Sequence, residues 1–246
     1  EAPTSTADAR RRADWPEWQA AQDRHMDKLH KYQVYSEHWF TAEEIEEMGI
    51  NVIKGRWVYT FKANEFDDRV EEAGGGAPLP NARIAAKGFM QKRGIDFGAI
   101  WSPTMETGSW RALEALAVKH GYPTMQGDVS AAFYQSVPEF LQYMEPATGY
   151  QEREDGRRLV WRLEKSMPGL RDASLNWSKK FRSVLKEMQF APCPLDPCLY
   201  YKQDMLGWAA LVIHVDDIML TGSDLPYLHE VCQGINRSVP LSFKEG

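Results

Sequence analysis

The sequence has few cysteines and no long hydrophobic segment, and both absences narrow the class of protein. Cys193, Cys198 and Cys232 are an odd number without a Cys-x-x-Cys spacing, which argues against a disulfide framework or a zinc site and favours a reducing compartment. No apolar run approaches the roughly 20 residues that are needed to span a bilayer. Residues 1–30 are polar and charged, unlike a secretory signal peptide. We therefore expect no membrane partner.

The chain also lacks the net positive charge of a simple nucleic-acid binder, because its formal net charge is −6. The charge is unevenly distributed, however. Residues 41–80 hold nine acidic and four basic residues, whereas residues 157–186 hold nine basic and two acidic residues. Residues 82–93 carry four basic residues and no acid. Such runs are either solvated faces or phosphate-binding surfaces, and charge alone does not choose between them.

Hydrophobic periodicity predicts helices and strands along most of the chain. Helices are predicted over 14–30, 41–49, 109–120 and 172–189, and strands over 51–62, 83–90, 122–129, 159–163, 198–202 and 208–213. Residues 1–13 are expected to be disordered, and Glu71–Pro80 is expected to be a flexible loop. No internal repeat and no regular βαβ alternation is present, so the predicted fold class is α+β. We expect the chain to be a segment of a longer polypeptide.

Two adjacent aspartates, Asp216 and Asp217, are the most informative feature of the sequence. The aliphatic runs on either side predict two short buried strands, and hence a β-hairpin with an acidic tip. Two like charges about 4 Å apart repel by about 4 kcal/mol at an effective dielectric constant of 20. A divalent metal ion is the usual partner that makes such a pair tolerable. An Asp-Asp pair also occurs in exposed turns, but the aliphatic flanks favour a functional role.

A third carboxylate, Asp128, stands at the end of another short predicted strand. Small residues and Phe133 follow it. Bringing this acid beside the acidic hairpin gives a site for two divalent ions, and hard oxygen ligands suit Mg²⁺ or Mn²⁺. Two such ions, about 3.5–4 Å apart, stabilise both the attacking and the leaving oxygen of a phosphoryl displacement. The sequence therefore points to phosphoryl-transfer chemistry.

Eight stretches of the chain, in order, resemble the reverse transcriptase of copia-type (Pseudoviridae-like) LTR retrotransposons. For example, Val212–Gly222 is similar to the family pattern VYVDDIIITG, and Arg83–Phe97 to RLVAKGFxQxxGIDY. The eight stretches are Gly55–Lys62, Arg83–Phe97, Trp101–Thr104, Gln126–Phe133, Tyr143–Tyr150, Leu163–Trp177, Asp196–Tyr200 and Val212–Gly222. Any one of them is weak, but eight in the family's order are specific.

The resemblance implies a right-hand polymerase arrangement of fingers and palm, with an antiparallel palm sheet packed on helices. It places the fingers, with part of the palm, at 51–122 and the palm at 123–246, with a fingers insertion near 150–175. A disordered leader at 1–13 and a helical segment at 14–50 would precede them. The thumb, connection and RNase H regions would follow Gly246.

The resemblance also implies the catalytic centre. Asp128, Asp216 and Asp217 would be the catalytic carboxylates and would bind two Mg²⁺ (or Mn²⁺) ions. The backbone carbonyl of Val129 would be a further ligand. The reaction implied is two-metal-ion transfer of a nucleotide from a dNTP to the 3′-OH of a primer.

Four further residues would contact the substrates, if the family's roles apply here. Arg83 would bind the triphosphate of the incoming dNTP as a bidentate donor. Phe133 would be the steric gate, because its ring would occupy the space that a ribose 2′-OH needs. The turn at Gly169 would pass near the nascent base pair, with Arg171 supplying a positive charge. The basic segment 157–186 would face the phosphates of the template and primer.

The partners implied are an RNA or DNA template with its primer, a dNTP, and the integrase and RNase H parts of the parent polyprotein. The implied location is a cytoplasmic virus-like particle, with nuclear entry of the parent complex as a further expectation. No membrane partner is implied.

The sequence departs from the family pattern at five positions. His214 stands where the family usually has a tyrosine beside its two aspartates. Pro168, Asp172, Ser174 and Leu175 replace Tyr, Gln, Pro and Arg in a segment that the family writes as YGLKQAPRAW. Asp172 in particular would add an acid near the substrate.

These departures leave two rival interpretations open. The first is a degenerate or repurposed reverse-transcriptase fold that binds nucleic acid, or assembles with its polyprotein, without polymerase activity. The second is another palm-type catalyst such as a nucleotidyl cyclase. The fingers-like segment 51–97 argues against the second, because a bare palm has no use for it.

Overall fold

The chain forms two compact units in a computed structural model that describes residues 1–62 and 79–245. The first unit comprises Glu1–Ile100 and Ser136–Asn176, and the second comprises Trp101–Gln135 and Trp177–Gly246. Each unit contains helices and β-strands. The expected mixture of helices and mainly antiparallel sheets is therefore confirmed.

The bounds of the regular elements agree with most of the predicted ones. The helices of the described residues are α1 (Thr6–Ala9), α2 (Trp15–Lys31), α3 (Ala42–Glu47), α4 (Thr107–His120), α5 (Ala173–Glu187) and α6 (Leu225–Asn236). The strands are β1 (Tyr35–Phe40), β2 (Val52–Lys62), β3 (Leu79–Ala86), β4 (Thr124–Val129), β5 (Tyr143–Glu145), β6 (Arg153–Glu154), β7 (Arg157–Leu163), β8 (Ala191–Pro192), β9 (Leu199–Gln203), β10 (Trp208–His214), β11 (Asp217–Gly222) and β12 (Leu241–Glu245).

The first unit is built on a sheet with the strand order β1-β7-β5-β2-β3, and β6 pairs with β7. Strands β2 and β3 form an antiparallel pair in which Trp57 lies opposite Ile84, whereas β5 runs parallel to β2. The amphipathic helix α2 follows Asp14 and has a proline in its first turn. Its buried residues recur at helical spacing: Trp18, Ala21, Gln22, His25, Met26 and Leu29.

The second unit is built on a sheet with the strand order β12-β4-β11-β10-β9-β8. Because side chains alternate along a strand, its two faces have separate cores. On one face, Leu211 and Ile218 belong to a cluster with residues of α5 and α6. On the other face, Val212 and Met219 pack with Leu113 of α4. The hairpin β10–β11 is therefore covered on both faces until it nears its tip.

Some elements differ from the prediction. Helix α4 begins at Thr107 after Glu106, not at a Ser109 cap. The predicted strand 83–90 ends at Ala86, and a 3₁₀ turn follows over Gly88–Met90. Strands β1, β5 and β12 were not predicted, because they are short or carry polar and aromatic residues without clear alternation.

Residues 1–13, which composition predicts to be disordered, include the short helix α1. The side chain of Ser5 accepts a hydrogen bond from the Asp8 amide at the start of this helix. Ala9 is fully buried, and the Tyr59 hydroxyl donates to the Thr6 hydroxyl at 3.1 Å. Of the predicted loop Glu71–Pro80, residues 71–78 lie outside the described residues and the last two open β3.

Two sequence-based expectations concern the cysteines and the membrane. Cys193, Cys198 and Cys232 are free thiols. In the part of the chain that the structure describes, we find no helix whose length and apolar character would let it cross a bilayer.

Candidate active site

The predicted acidic hairpin is present in the second unit. Strands β10 and β11 are joined by a two-residue turn, Val215 and Asp216, and Asp217 is already the first residue of β11. Only one of the two aspartates is therefore in the turn itself. Short antiparallel hairpins of this kind need a positive φ in the turn, and Val215 has a φ of 59°.

A valine at positive φ is a strained choice, since β-branched residues rarely adopt the left-handed region. Such a conformation costs on the order of 1–3 kcal/mol and persists where the surroundings hold it. Here the indole Nε1 of Trp177 donates a hydrogen bond to the Val215 carbonyl at 2.6 Å. Trp177 is itself buried in the core of the second unit. The backbone carbonyl of Val215 thus anchors the turn to the core of the second unit.

Strand register places the aspartates in a row across the sheet. Asp217 lies opposite His214 on β10 and opposite Asp128 on β4. Asp128 in turn lies opposite Ser242 on β12. Residues that pair directly share one face of a sheet, with Cα atoms about 4.5–5.5 Å apart. Two of the three predicted carboxylates therefore start from adjacent backbone positions on the same face.

The third carboxylate is tied to this row through the backbone. The amide of Val129 donates to the carbonyl of Asp216 at 2.9 Å, so the turn is fastened to the end of β4. Val129 is buried, whereas Asp216 and Asp217 are exposed. The fold thus brings together Asp128, Val129 and both hairpin aspartates, as the sequence predicts for a catalytic centre.

Burial and the neighbouring charges determine the electrostatics of the row. Although Asp217 as a residue is exposed, partial burial of its carboxyl raises its pKa, and the negative charge of Asp216 raises it further. The neighbouring His214 acts in the opposite direction. Across residues 1–62 and 79–245, no three His, Cys, Asp or Glu side chains form a group that could hold a metal ion. The backbone positions and the donor chemistry suit one, but the side chains do not form a closed site.

Phe133 follows the acidic strand β4 in a tight change of direction. Ala131 has a φ of 58°, and a 3₁₀ helix then runs over Ala132–Gln135. The Phe133 ring is partly buried and packs against the main core of the second unit. The core therefore holds the Phe133 ring, four residues beyond Val129 at the end of β4.

Arg83 lies on β3 of the first unit, where the strand alternates between a buried and a solvent-facing side. Ala82 and Ile84 are buried, and Arg83 between them is exposed. Its Cα partner on β2 is Val58. The guanidinium therefore projects from the outer side of a strand whose inner side is anchored in the core.

The predicted turn at Gly169 fits closely against the end of β3. The amide of Ala86 donates to the Pro168 carbonyl at 2.8 Å. Gly169 has a φ of 92°, and a Cβ at this position would lie 2.2 Å from the Ala86 carbonyl oxygen. A Cβ on Gly88 would likewise lie 2.1 Å from the Gly169 carbonyl oxygen. Two glycines are needed here because two backbone segments touch.

Arg171 is exposed, but hydrogen bonds from its backbone amide and its Nε atom hold it in place. Its amide donates to the Gln91 side-chain oxygen at 2.7 Å, and its Nε donates to the Gly88 carbonyl at 2.9 Å. The guanidinium lies over the ring of Phe97, 5.7 Å from the centroid. Arg83 therefore lies on β3 itself, and Arg171 is hydrogen-bonded to the segment that follows β3.

Asp172 does not add an acid at a substrate surface, and here the sequence-based expectation is wrong. Only 2% of this residue is exposed. Its Oδ2 accepts hydrogen bonds from the side-chain amides of Gln142 at 2.9 Å and Asn176 at 3.0 Å. The Gln142 amide also donates to the Asp96 carbonyl. Asp172 is therefore part of a buried polar cluster in which its Oδ2 atom accepts two hydrogen bonds, whereas Oδ1 has no hydrogen-bond partner among the described residues.

Some basic residues of the segment 157–186 lie close to acidic residues of the protein. Arg157 lies 3.6 Å from Glu44, and Arg162 makes a 2.6 Å ion pair with Glu164. Lys179, Arg182 and Lys186 are exposed on α5 in the second unit. Part of the predicted phosphate-facing charge is thus paired within the protein.

Sequence reasoning missed the buried polar residues beside Arg83 and Arg171 in the first unit. His25 of α2, Gln91 and Gln142 are buried polar residues that bond to the backbone or side chains next to Arg83 and Arg171. None of them carries a motif, and a lone histidine on an apolar helix face usually signals only a satisfied core residue. The contacts join positions far apart in the sequence, so no local pattern reveals them.

Comparisons with known proteins were consistent with this geometry. A family model described as reverse transcriptase (RNA-dependent DNA polymerase) matches residues 46–243. The Pol polyprotein of transposon TNT 1-94 from Nicotiana tabacum is 31% identical over 78% of this chain, and that of transposon RE1 from Arabidopsis thaliana is 28% identical over 76%. The chain spans only 14% and 12% of these relatives. The expected resemblance to copia-type retrotransposon enzymes is confirmed.

Solved structures give weaker similarities. An apo telomerase from Candida tropicalis, truncated from its C-terminal domain, covers 93% of this chain and 55% of its own, with 9% identity and a TM-score of 0.41. A foamy viral protease–reverse transcriptase in complex with double-stranded DNA covers 79% of this chain and 27% of its own, with 9% identity and a TM-score of 0.29.

Proposed function

Because the chain belongs to the reverse transcriptase (RNA-dependent DNA polymerase) family, we propose that it carries the nucleotidyl-transfer site of a retrotransposon Pol polyprotein. The observation that supports this most directly is the row of paired residues containing Asp128 and Asp217, with Asp216 in the adjoining turn. In this proposal the second unit is the palm and the first unit is the fingers. The reaction is RNA-directed DNA synthesis from dNTPs.

Asp128, Asp216 and Asp217 would hold two Mg²⁺ or Mn²⁺ ions, together with the carbonyl of Val129. The hard oxygen donors fit such ions, and a cation would favour the charged form of Asp217, whose pKa is raised by partial burial and by the negative charge of Asp216. When bound, the ions would supply charge that stabilises the attacking 3′-oxygen and the leaving pyrophosphate. Because the Cα atoms of Asp128 and Asp217 are paired, their two carboxylates start from neighbouring backbone positions.

The protein's own contribution is mainly positioning and charge. Arg83 would bind the triphosphate through its planar guanidinium, which offers two parallel donors to phosphate oxygens. Arg171, held over Phe97, would present a second positive charge near the nascent pair. Phe133, held against the core, would exclude a ribose 2′-OH and so select dNTPs.

The template and primer would be bound through their phosphates by the exposed basic residues of α5, with a salt-dependent affinity. The other proposed partners are the integrase and RNase H parts of the polyprotein. The proposed location is a cytoplasmic particle of the parent element, with nuclear entry of the parent complex.

The rival proposal of a degenerate, non-catalytic fold loses part of its motivation. It rested on changes in the Pro168–Leu175 segment, but Pro168 contributes a carbonyl that any residue would supply. Asp172 is buried, and its Oδ2 atom accepts two hydrogen bonds. The altered segment is therefore consistent with a working site.

Primer extension tests the proposal. The assay uses an oligo(dT) primer on poly(rA), dTTP and Mg²⁺ or Mn²⁺. Asp216→Asn is expected to lower the rate at least about 100-fold, because it removes one charge from an electrostatic site. Glu187→Gln, which removes an exposed charge at the end of α5, is the matched control and should extend normally. The proposal is wrong if the wild-type protein extends no primer or if Asp216→Asn extends it as fast as the control.

A further inference from the structure

Strand β3, which carries Arg83, is an edge strand of the first sheet. Its inner neighbour is β2, and among residues 1–62 and 79–245 no strand pairs with the backbone groups on its other side. Helix α2 packs along this open side. All of α2 precedes residue 46, where the match to the family model begins.

One side chain of α2 accepts a hydrogen bond from the backbone on this open side of β3. The amide of Ile84, the residue after Arg83, donates to the Nε2 atom of His25 at 2.9 Å. Because the backbone N–H is the donor, Nε2 must be the unprotonated nitrogen of the ring. His25 is only 7% exposed, and its ring meets the edge of Trp57 with centroids 5.7 Å apart.

The neutral form of His25 is favoured by its surroundings. Burial lowers its pKa to about 4, and the positive charges of Lys28 on the same helix and Arg83 on β3 contribute in the same direction. A protonated ring would lose its acceptor and would stand between two cations. At neutral pH the histidine is therefore a fixed acceptor for the β3 backbone.

A second contact on the same strand serves as an internal comparison. The guanidinium of Arg24, the residue before His25, donates to the Pro80 carbonyl at 3.0 Å. This bond is exposed and lies near the start of β3, away from Arg83 in sequence. Both bonds join α2 to β3. The Arg24 bond, however, is exposed and forms at a different position along the strand.

We propose that His25 is a positioning residue for Arg83, fixing the β3 backbone at Ile84 and with it the direction in which the arginine leaves the strand. The inference rests on the proposed function of Arg83 as the triphosphate ligand. It assigns a role in dNTP binding to a helix that precedes the family-matched region. His25 itself touches no substrate in this proposal.

Two substitutions of His25 separate its acceptor from its bulk. His25→Leu removes the acceptor, whereas the side-chain oxygen of His25→Gln can accept at about the place of Nε2. Arg24→Ala is the matched control. The first measurement is hydrogen exchange of the Ile84 amide, which does not depend on activity. We expect exchange at least about tenfold faster in His25→Leu, equivalent to about 1.4 kcal/mol, and near-normal exchange in His25→Gln and Arg24→Ala.

The second measurement is the KM for dTTP in primer extension. We expect His25→Leu to raise KM about tenfold with little change in kcat, and His25→Gln to restore most of it. A residue that acts through Arg83 must lose its effect when Arg83 is absent, so His25→Leu should add nothing to the KM of Arg83→Ala. A residue that only stabilises the fold would add its effect in both backgrounds.

The outcomes distinguish this inference from the proposed function. Unchanged Ile84 exchange in His25→Leu overturns the inference, whatever the kinetics. Faster exchange with additive effects in the double variant also overturns it, because His25 would then act independently of Arg83. A wild-type protein without primer extension would instead contradict the proposed function, and with it the role assigned to His25.

Discussion

The two units hold their proposed site residues in different ways. In the second unit, Asp216 and Asp217 are exposed and are placed by strand register and by one strained turn. In the first unit, Arg83 and Arg171 are also exposed, but the backbone beneath them is held by buried polar side chains and touching glycines. The acidic part thus depends on a local hairpin, whereas the basic part depends on contacts between distant segments.

This difference explains what the sequence could reveal. A hairpin is a contiguous pattern, so two aliphatic runs around Asp216 and Asp217 were enough to predict it correctly. The support of the basic residues joins α2, β3, the 3₁₀ turn after it and the segment before α5. Each of these is ordinary on its own, and only the tertiary structure brings them together.

The largest effect is expected where two backbone segments touch in the first unit. Gly169→Ala would place a Cβ 2.2 Å from the Ala86 carbonyl oxygen at a φ of 92°. We expect a loss of about 3 kcal/mol or more in the free energy of unfolding, because steric overlap adds to the cost of the left-handed backbone. Chemical denaturation measures it.

The control for this prediction is Gly94→Ala. Gly94 has a similar φ of 84°, but a Cβ at this position would have no heavy atom within 4 Å beyond its chain neighbours. We expect the substitution to cost only about 1 kcal/mol. Equal losses in the two variants would contradict the claim that close backbone contact, rather than backbone conformation, makes Gly169 necessary.

A pH dependence is expected next in size, and in the first unit it comes from His25. The folded state lowers the pKa of His25 to about 4 from an ordinary 6.5, so the unfolded chain binds more protons between these values. The stabilising contribution is complete above about pH 6.5 and is lost as the pH falls towards 4, by up to about 3 kcal/mol.

The difference in unfolding free energy between wild type and His25→Gln isolates this contribution from the carboxylates that titrate in the same range. Besides burial, the positive charges of Lys28 and Arg83 lower the pKa of the ring. A difference that is independent of pH from 4 to 7 would contradict a buried neutral histidine.

A smaller effect is expected for the buried cluster under the Gly169 turn. Asp172→Ala leaves the amides of Gln142 and Asn176 without their shared acceptor and should cost about 1–3 kcal/mol. Asp172→Asn keeps one oxygen and should cost less. Full stability of both variants in thermal denaturation would contradict a stabilising role for the hydrogen bonds of Asp172. The contrast between the two units would then weaken.

The smallest effect is expected in the second unit and has the opposite sign. Val215→Asn replaces a β-branched residue at a φ of 59° with one that tolerates this conformation, and it keeps the carbonyl that Trp177 binds. We expect a gain of about 1 kcal/mol in unfolding free energy. A loss of stability would show that the valine side chain contributes more than its strain costs.

The sequence predicted most helices and strands, the acidic hairpin and the place of Asp128 at the end of β4. It did not predict β1, because Tyr35–Phe40 mixes aromatic and polar residues on both sides of the strand. It also placed Asp172 at a substrate surface, since an added acid in a loop is ordinarily solvated. Its burial follows from donors on Gln142 and Asn176, which no spacing rule connects to it.

Strand β1 has a practical consequence for anyone who prepares this protein. It pairs with β7 from Tyr35 to Phe40 and occupies one edge of the first sheet. A fragment begun at residue 46, where the family match starts, would uncover the hydrogen-bonding groups of β7 on that side and those of β3 on the other. Bare sheet edges recruit strands from other molecules. A fragment trimmed to the family boundary would therefore be prone to aggregate, and its insolubility would say nothing about the residues proposed for catalysis.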